Sequence, residues 1–244
     1  MTVQELEAKE NEIQNEIKSL AEKNNLITES VEPIYDGIYS AEKYLSAPIR
    51  LMWVLKEPYD DMNENGIPCG GGWSIPKGLF KDPEYDYYTK GKQSAKMVTR
   101  LSYCLINGKK FSESRDAGDP AEIANALQDI AYINISKMPA GGTTNNASLP
   151  EKYETWKPLL LKQIEIYSPD VIIFGNTFDY FAPDLFDGSF PETKYKFGMA
   201  KGFIKNDSLV ISAYHPGYFK SEETQDNYAS EIIKIVNTWK SQKK

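Results

Sequence analysis

The chain has 244 residues, enough for one well-buried domain or a domain with an appendage, and its 41 % hydrophobic content with 16 tyrosines and 10 phenylalanines excludes a disordered polymer. No apolar run approaches the ~18 residues of a membrane helix and no signal-peptide core stands at the N-terminus, so a soluble, cytoplasmic protein with no membrane partner is expected. The net charge of −7 weighs against a broad phosphate-binding surface, although residues 1–30 hold three lysines and seven glutamates, so the remainder carries only −3.

In chain order, residues 3–27 read as a polar helix. Val3, Leu6, Ile13, Ile17 and Leu20 recur at three- and four-residue spacing, with Glu10 interrupting the seam. An accessory helix packed on the body over residues 1–30 is expected, with self-association through its seam as the alternative. Four short apolar runs follow, Arg50–Leu55, Ala131–Ile135, Asp170–Gly175 and Ser208–Ala213, each of strand length. Helical stretches near 92–107, 120–129, 151–167 and 222–240 lie between and after them. This alternation predicts a three-layer α/β/α sandwich over residues 31–244, with a central four-stranded, mostly parallel sheet. Segment 59–90, rich in glycine, proline and aromatics, is too long for a plain connection and is of the functional kind. Cys69 and Cys104 cannot form a four-cysteine metal or cluster site without other ligands; a reduced pair is expected, and neither metal nor other cofactor is called for.

Ligands in open parallel sheets bind beyond the carboxyl ends of the strands. Those ends carry Lys56-Glu57-Pro58-Tyr59 after the first run, Asn134 near the end of the second, Asn176-Thr177 after the third, and Tyr214-His215-Pro216-Gly217-Tyr218-Phe219 after the fourth. A carboxylate, an amide, the only histidine of the chain and several aromatics are thus expected at one edge.

Four of these segments, in order, resemble the uracil-DNA glycosylase superfamily, with motifs of the family-1 type over about residues 50–240. Lys56-Glu57-Pro58-Tyr59 is similar to the family's Gln-Asp-Pro-Tyr. Trp73-Ser74-Ile75, after Gly70-Gly71-Gly72, is similar to its Phe-Ser-Val run. Tyr132-Ile133-Asn134 matches the strand whose Asn reads the uracil edge, and His215-Pro216-Gly217-Tyr218-Phe219 matches His-Pro-Ser-Pro-Leu.

The resemblance implies hydrolysis of the N-glycosidic bond of uracil, or a related damaged base, in DNA, after the base has left the stack. Cleavage leaves positive charge on the sugar and an anionic pyrimidine. By this resemblance Glu57 would orient water and stabilise the cation, and His215 would donate to the departing base. Asn134 would pair with O4 and N3–H, Trp73 would stack, Tyr59 would crowd C5, and Lys56 would present its backbone to the base. Pro58, Ser74, Pro216 and Gly217 would follow the DNA backbone, with Phe219 filling the gap in the duplex. The pattern departs where Glu57 replaces Asp, Lys56 replaces Gln, Gly217 replaces Ser and Phe219 replaces Leu. A carboxylate moved by about 1 Å can cost roughly 10²-fold. The alternative expectation is therefore a non-catalytic module that binds a base, nucleotide or single strand.

Overall fold

A computed structural model of the chain describes residues 1–81, 91–114 and 120–243. The helices are α1 (Val3–Lys23), α2 (Ala41–Ser46), α3 (Gln93–Asn107), α4 (Pro120–Asn125), α5 (Leu149–Tyr167), α6 (Phe178–Leu185) and α7 (Glu222–Gln242). The strands are β1 (Gly37–Ile38), β2 (Leu51–Leu55), β3 (Ile130–Asn134), β4 (Val171–Gly175), β5 (Tyr195–Lys196), β6 (Ala200–Lys205) and β7 (Ser208–Ala213).

Every residue of β2, β3 and β4 is buried. Strands apolar on both sides need cover on both faces, which parallel strands with crossover helices provide. Trp53, Tyr132, Ile173 and Ile211 point to one face, beneath α3 and α7. Met52, Ile133, Phe174 and Val210 point to the other, beneath α1, α2, α5 and α6. The two-residue period of the strands accounts for the division.

The sheet has seven strands in the order β1-β3-β2-β4-β7-β6-β5. The four central strands, β3-β2-β4-β7, are parallel. The expectation of four strands is corrected at the edges, where β1 runs antiparallel to β3 and the β6–β5 pair antiparallel to β7. β1 and β5 have two residues each and β6 is interrupted by lysines and Gly202, so none of them shows strand periodicity. Between β6 and β7, Asn206 takes a φ of 46° in a two-residue turn with Asp207. Asn is one of the few residues other than glycine that tolerate this conformation in a turn.

The crossover from β2 to β3 packs its helix α3 on the first face, whereas β3 to β4 sends α5 over the second. The connections therefore diverge between β2 and β4, the position at which open sheets form a crevice. Thr177 bridges that point, its hydroxyl donating to the Val54 carbonyl at 2.8 Å.

The apolar seam of α1 is spent within the chain: Leu6, Ile13, Ile17 and Ala21 are fully buried against the second face. A capping box between Thr2 and Glu5 closes the helix start. Glu10, which interrupts the seam, is itself buried and accepts hydrogen bonds from Tyr167 Oη and Gln14 Nε2. Desolvation pushes its carboxyl up to about 7. Cys69 and Cys104 are both free thiols. Among the described residues no helix is long and apolar enough to cross a membrane.

Candidate functional site

The chain leaves β2 at Lys56 and Glu57. The Glu57 side chain is only 3 % exposed, and its carboxylate is ion-paired with Lys152, in the first turns of α5. Lys56 is 8 % exposed and its ammonium donates to Asn146 Oδ1 at 2.8 Å. Burial lowers its pKa, opposed by the Glu57 charge. Pro58 is buried, and its carbonyl accepts from the Ala140 amide at 2.9 Å. Tyr59 reaches outward, half exposed, with the Lys92 ammonium 3.4 Å from its ring centre.

Beside these residues opens a cavity of about 480 Å³ whose walls include Glu57, Tyr59, Trp73, Ile75, Lys92 and Tyr132. Its size and the rings of Tyr59, Trp73 and Tyr132 among its walls suit a planar ligand. Trp73 is held there by its indole N–H, which donates to Asp60 Oδ2 at 2.8 Å. The same carboxylate oxygen accepts from the Gly71 amide at 2.7 Å. Gly71 has a φ of 92°, and a Cβ there would lie 1.8 Å from the Glu32 carbonyl oxygen. Gly71→Ala is therefore expected to lower stability by about 1–3 kcal/mol and to shift the Trp73 emission, both measurable in one urea titration followed by tryptophan fluorescence. Ser74 turns away from the cavity. It lines a separate crevice with Gln14 and Tyr35, and its hydroxyl accepts the Lys77 amide.

Asn134 ends β3, two residues after Tyr132 and so on the same sheet face. It is 1 % exposed. An ion pair holds its backbone on both sides: its amide donates to Asp36 Oδ2 at 2.7 Å, and Lys137 Nζ donates to its carbonyl at 2.9 Å. Neither Oδ1 nor Nδ2 of its side chain finds a hydrogen-bond partner among the described residues.

The fourth strand end carries His215. Gly175 makes room for this loop, since a Cβ there would come within 2.9 Å of Pro216 and 2.5 Å of Leu55. The Gly217 amide donates to His215 Nδ1 at 3.2 Å, so Nε2 carries the proton of the neutral ring. Desolvation first, then the charges of Lys56 and Lys220, lowers its pKa to about 4. A Cβ on Gly217 would lie 3.3 Å from both His215 Nδ1 and Ser94 Cβ, and Ser94 belongs to the cavity wall. His215 thus stands close to Ser94 of the cavity wall.

Phe219, expected to project, turns inward. Its ring packs edge-on beneath Tyr214 and Tyr218 and against the buried Tyr228, with centroids 5.8, 5.1 and 5.2 Å away. The exposed rings of the loop are Tyr214, 46 % exposed, and Tyr218, 65 % exposed.

Glu57, Tyr59 and Trp73 thus line one cavity, with His215 close to Ser94 of its wall and Asn134 buried at the end of β3, while Ser74 and Phe219 face elsewhere. Sequence reasoning missed Lys152, Asp60, Asp36 and Lys137, each of which acts through a partner in another segment of the chain. Of these only Asp60 lies near its partner, 13 residues before Trp73. Comparison with protein-family models found no match, and comparison with curated proteins found none either.

Proposed function

We propose that this edge takes up a nucleobase turned out of a DNA strand and hydrolyses the N-glycosidic bond of uracil or a related modified base. The observation that carries the reading is the Asn134 side chain. A buried primary amide without partners costs about 1–3 kcal/mol, and a protein keeps such a group where a ligand completes it. Its adjacent donor and acceptor complement O4 and N3–H of a pyrimidine such as uracil and mismatch the same edge of cytosine. Trp73 and Tyr132 supply faces for the ring. His215, neutral and protonated on Nε2, suits a donor to the oxygen on which the leaving base gathers negative charge. Glu57 is the carboxylate for the sugar cation and the attacking water.

Incubation with oligonucleotides containing a single uracil, followed by alkali, is the direct test: strand breaks dependent on Glu57, Asn134 and His215 are expected. Asn134→Leu gives a sharper result, because function and stability move in opposite directions. Removing an unsatisfied amide for a side chain of similar size should raise Tm, by roughly 2–4 °C per kcal/mol recovered. Base release should fall about 10²-fold as two hydrogen bonds are lost. A lower Tm in Asn134→Leu would mean that the amide is structurally satisfied and would remove the basis of the reading.

The Lys152 ion pair favours a second reading. A carboxylate already paired and 3 % exposed can belong to a module that binds a base without cleaving it. Saturable binding of a uracil-containing oligonucleotide without base release, by the protein and by Lys152→Ala alike, would select that reading.

A further inference from the structure

The loop that carries His215 presents a feature that the base pocket does not use. Tyr214 and Tyr218 flank the histidine, and their exposed rings stack on each other, with centroids 5.4 Å apart and planes 25° from parallel. The pair is braced from below. Phe219 meets both rings edge-on, the buried Tyr228 hydroxyl donates to the Tyr214 carbonyl at 2.9 Å, and the Tyr218 amide donates to the His215 carbonyl at 2.9 Å. Lys220 Nζ closes the turn on the Gly217 carbonyl at 2.8 Å. Exposed aromatic surface held this firmly gains little from solvent and is ready to stack.

Beside Tyr214 runs a polar trough of about 230 Å³ lined by Asn176, Lys201 and Ser212; Lys201 is its one charged side chain among the described residues. It shares Asn176 and Ser212 with a second trough of about 140 Å³, which continues across the sheet edge to Lys56 and Asn146, with Asp179 at its margin. A stacking surface beside a polar, lysine-bearing groove is the arrangement by which proteins hold single-stranded nucleic acid: bases lie on rings and the backbone follows the groove. Duplex binding asks for something else, many phosphate contacts and a side chain to occupy the gap left by the flipped base. The chain carries −7, and Phe219 is committed to bracing the loop.

We infer that the Tyr214–Tyr218 pair and the adjoining trough form a binding site for the unpaired DNA flanking the target base, so that single-stranded DNA is the preferred substrate. This rests on the glycosylase reading for the identity of the target and stands apart from it in the contacts invoked.

The test is fluorescence anisotropy with a labelled 15-mer of ordinary bases, single-stranded and as its duplex, at two salt concentrations. Single-strand affinity is expected to exceed duplex affinity at least about tenfold. Tyr218→Ala should weaken single-strand binding about 5- to 150-fold, the range for losing one stacked base, and leave duplex binding unchanged. Tyr218→Phe, which keeps the ring, should bind like the unaltered protein, and Lys201→Gln should reduce the salt dependence. Equal affinity for the two forms, no binding to either, or an undiminished Tyr218→Ala variant would overturn the inference; the last result would assign the tyrosines to a protein partner. The two readings fail separately. Tyr218-dependent single-strand binding without release of uracil overturns the glycosylase and keeps this site. Uracil release at equal rates from both forms, insensitive to Tyr218, does the reverse.

Discussion

His215→Ala is expected to lower uracil release by about 10²–10³-fold, the usual effect of removing one preorganised donor aimed at developing negative charge. The size of this effect depends on the ring being neutral. Its Nδ1 already accepts the Gly217 amide, which leaves Nε2–H as the donor, and burial with two nearby ammonium groups takes its pKa down to about 4. A neutral donor needs no proton from solvent, so an acid limb due to this residue should lie near pH 4 and not near the ordinary histidine value of about 6.5. The profile of kcat/KM against pH settles this: a loss of rate with a midpoint near 6.5 would mean a protonated, solvent-exposed imidazole. Stability carries the same signature with a definite sign. The folded pKa lies below the unfolded one, so the unfolded chain takes up its proton first. Stability is untouched by His215 above about pH 7 and declines as the pH falls from 6.5 towards 4. Unfolding of His215→Gln over that interval should show a shallower decline. Glu10, with its carboxyl pushed up to about 7, opposes this trend over the same interval, and the difference between the two profiles isolates the single histidine.

The strands and their ends were legible because a parallel strand covered on both faces can hardly be written except as an apolar run. β2 is Leu51–Leu55 and β4 is Val171–Gly175, within a residue of the expected bounds. Helix α1 was legible from its spacing, and Glu10 marked a real feature, a carboxylate buried in the seam and met by Tyr167. Edge strands of two residues carry no period to detect. At the strand ends, residue type and position pointed to Glu57, which lines the cavity, to His215, which lies near Ser94 of its wall, and to Asn134, which is buried at the end of β3. Their partners were another matter. Glu57 pairs with Lys152 across 95 residues and Asp36 with Lys137 across 101, and ion pairs between separate elements leave no periodic trace. Nor does a motif show which ring of a loop turns inward. The His215–Tyr218 turn decides that Phe219 packs and Tyr218 protrudes, and turn geometry rests on backbone bonds that a tetrapeptide does not display.

Lys137→Met should be the most damaging single change to stability, at about 3–5 kcal/mol, because it strands a buried carboxylate. The side chains of Lys137 and Asp36 are 0 % and 1 % exposed. The ammonium donates to both Asp36 oxygens, to the Asn134 carbonyl and to Gln163 Oε1, all at 2.7–2.9 Å. Asp36 accepts in return from the Asn134 amide and from Gln163 Nε2. With the cation gone, Asp36 faces only neutral donors and the nearby Glu10, whose raised pKa already reflects that neighbour. Desolvation works against Lys137 as well and lowers its pKa, so the pair persists through its mutual geometry and not through burial. Asp36→Asn added to Lys137→Met removes the second charge and should recover most of the loss, since a buried pair exchanged for neutral groups is often close to neutral overall. Urea midpoints of the two variants test that half of the argument; a double variant as unstable as the single one would mean that packing, not charge, is at stake. The other half concerns Asn134. The ion pair is the clamp on both sides of its backbone, so the folded double variant should keep base release from uracil within about tenfold while losing part of its preference for uracil over cytosine. Discrimination depends on where the amide points more than on whether the pocket exists. An unchanged preference in the double variant would show that the strand alone orients Asn134.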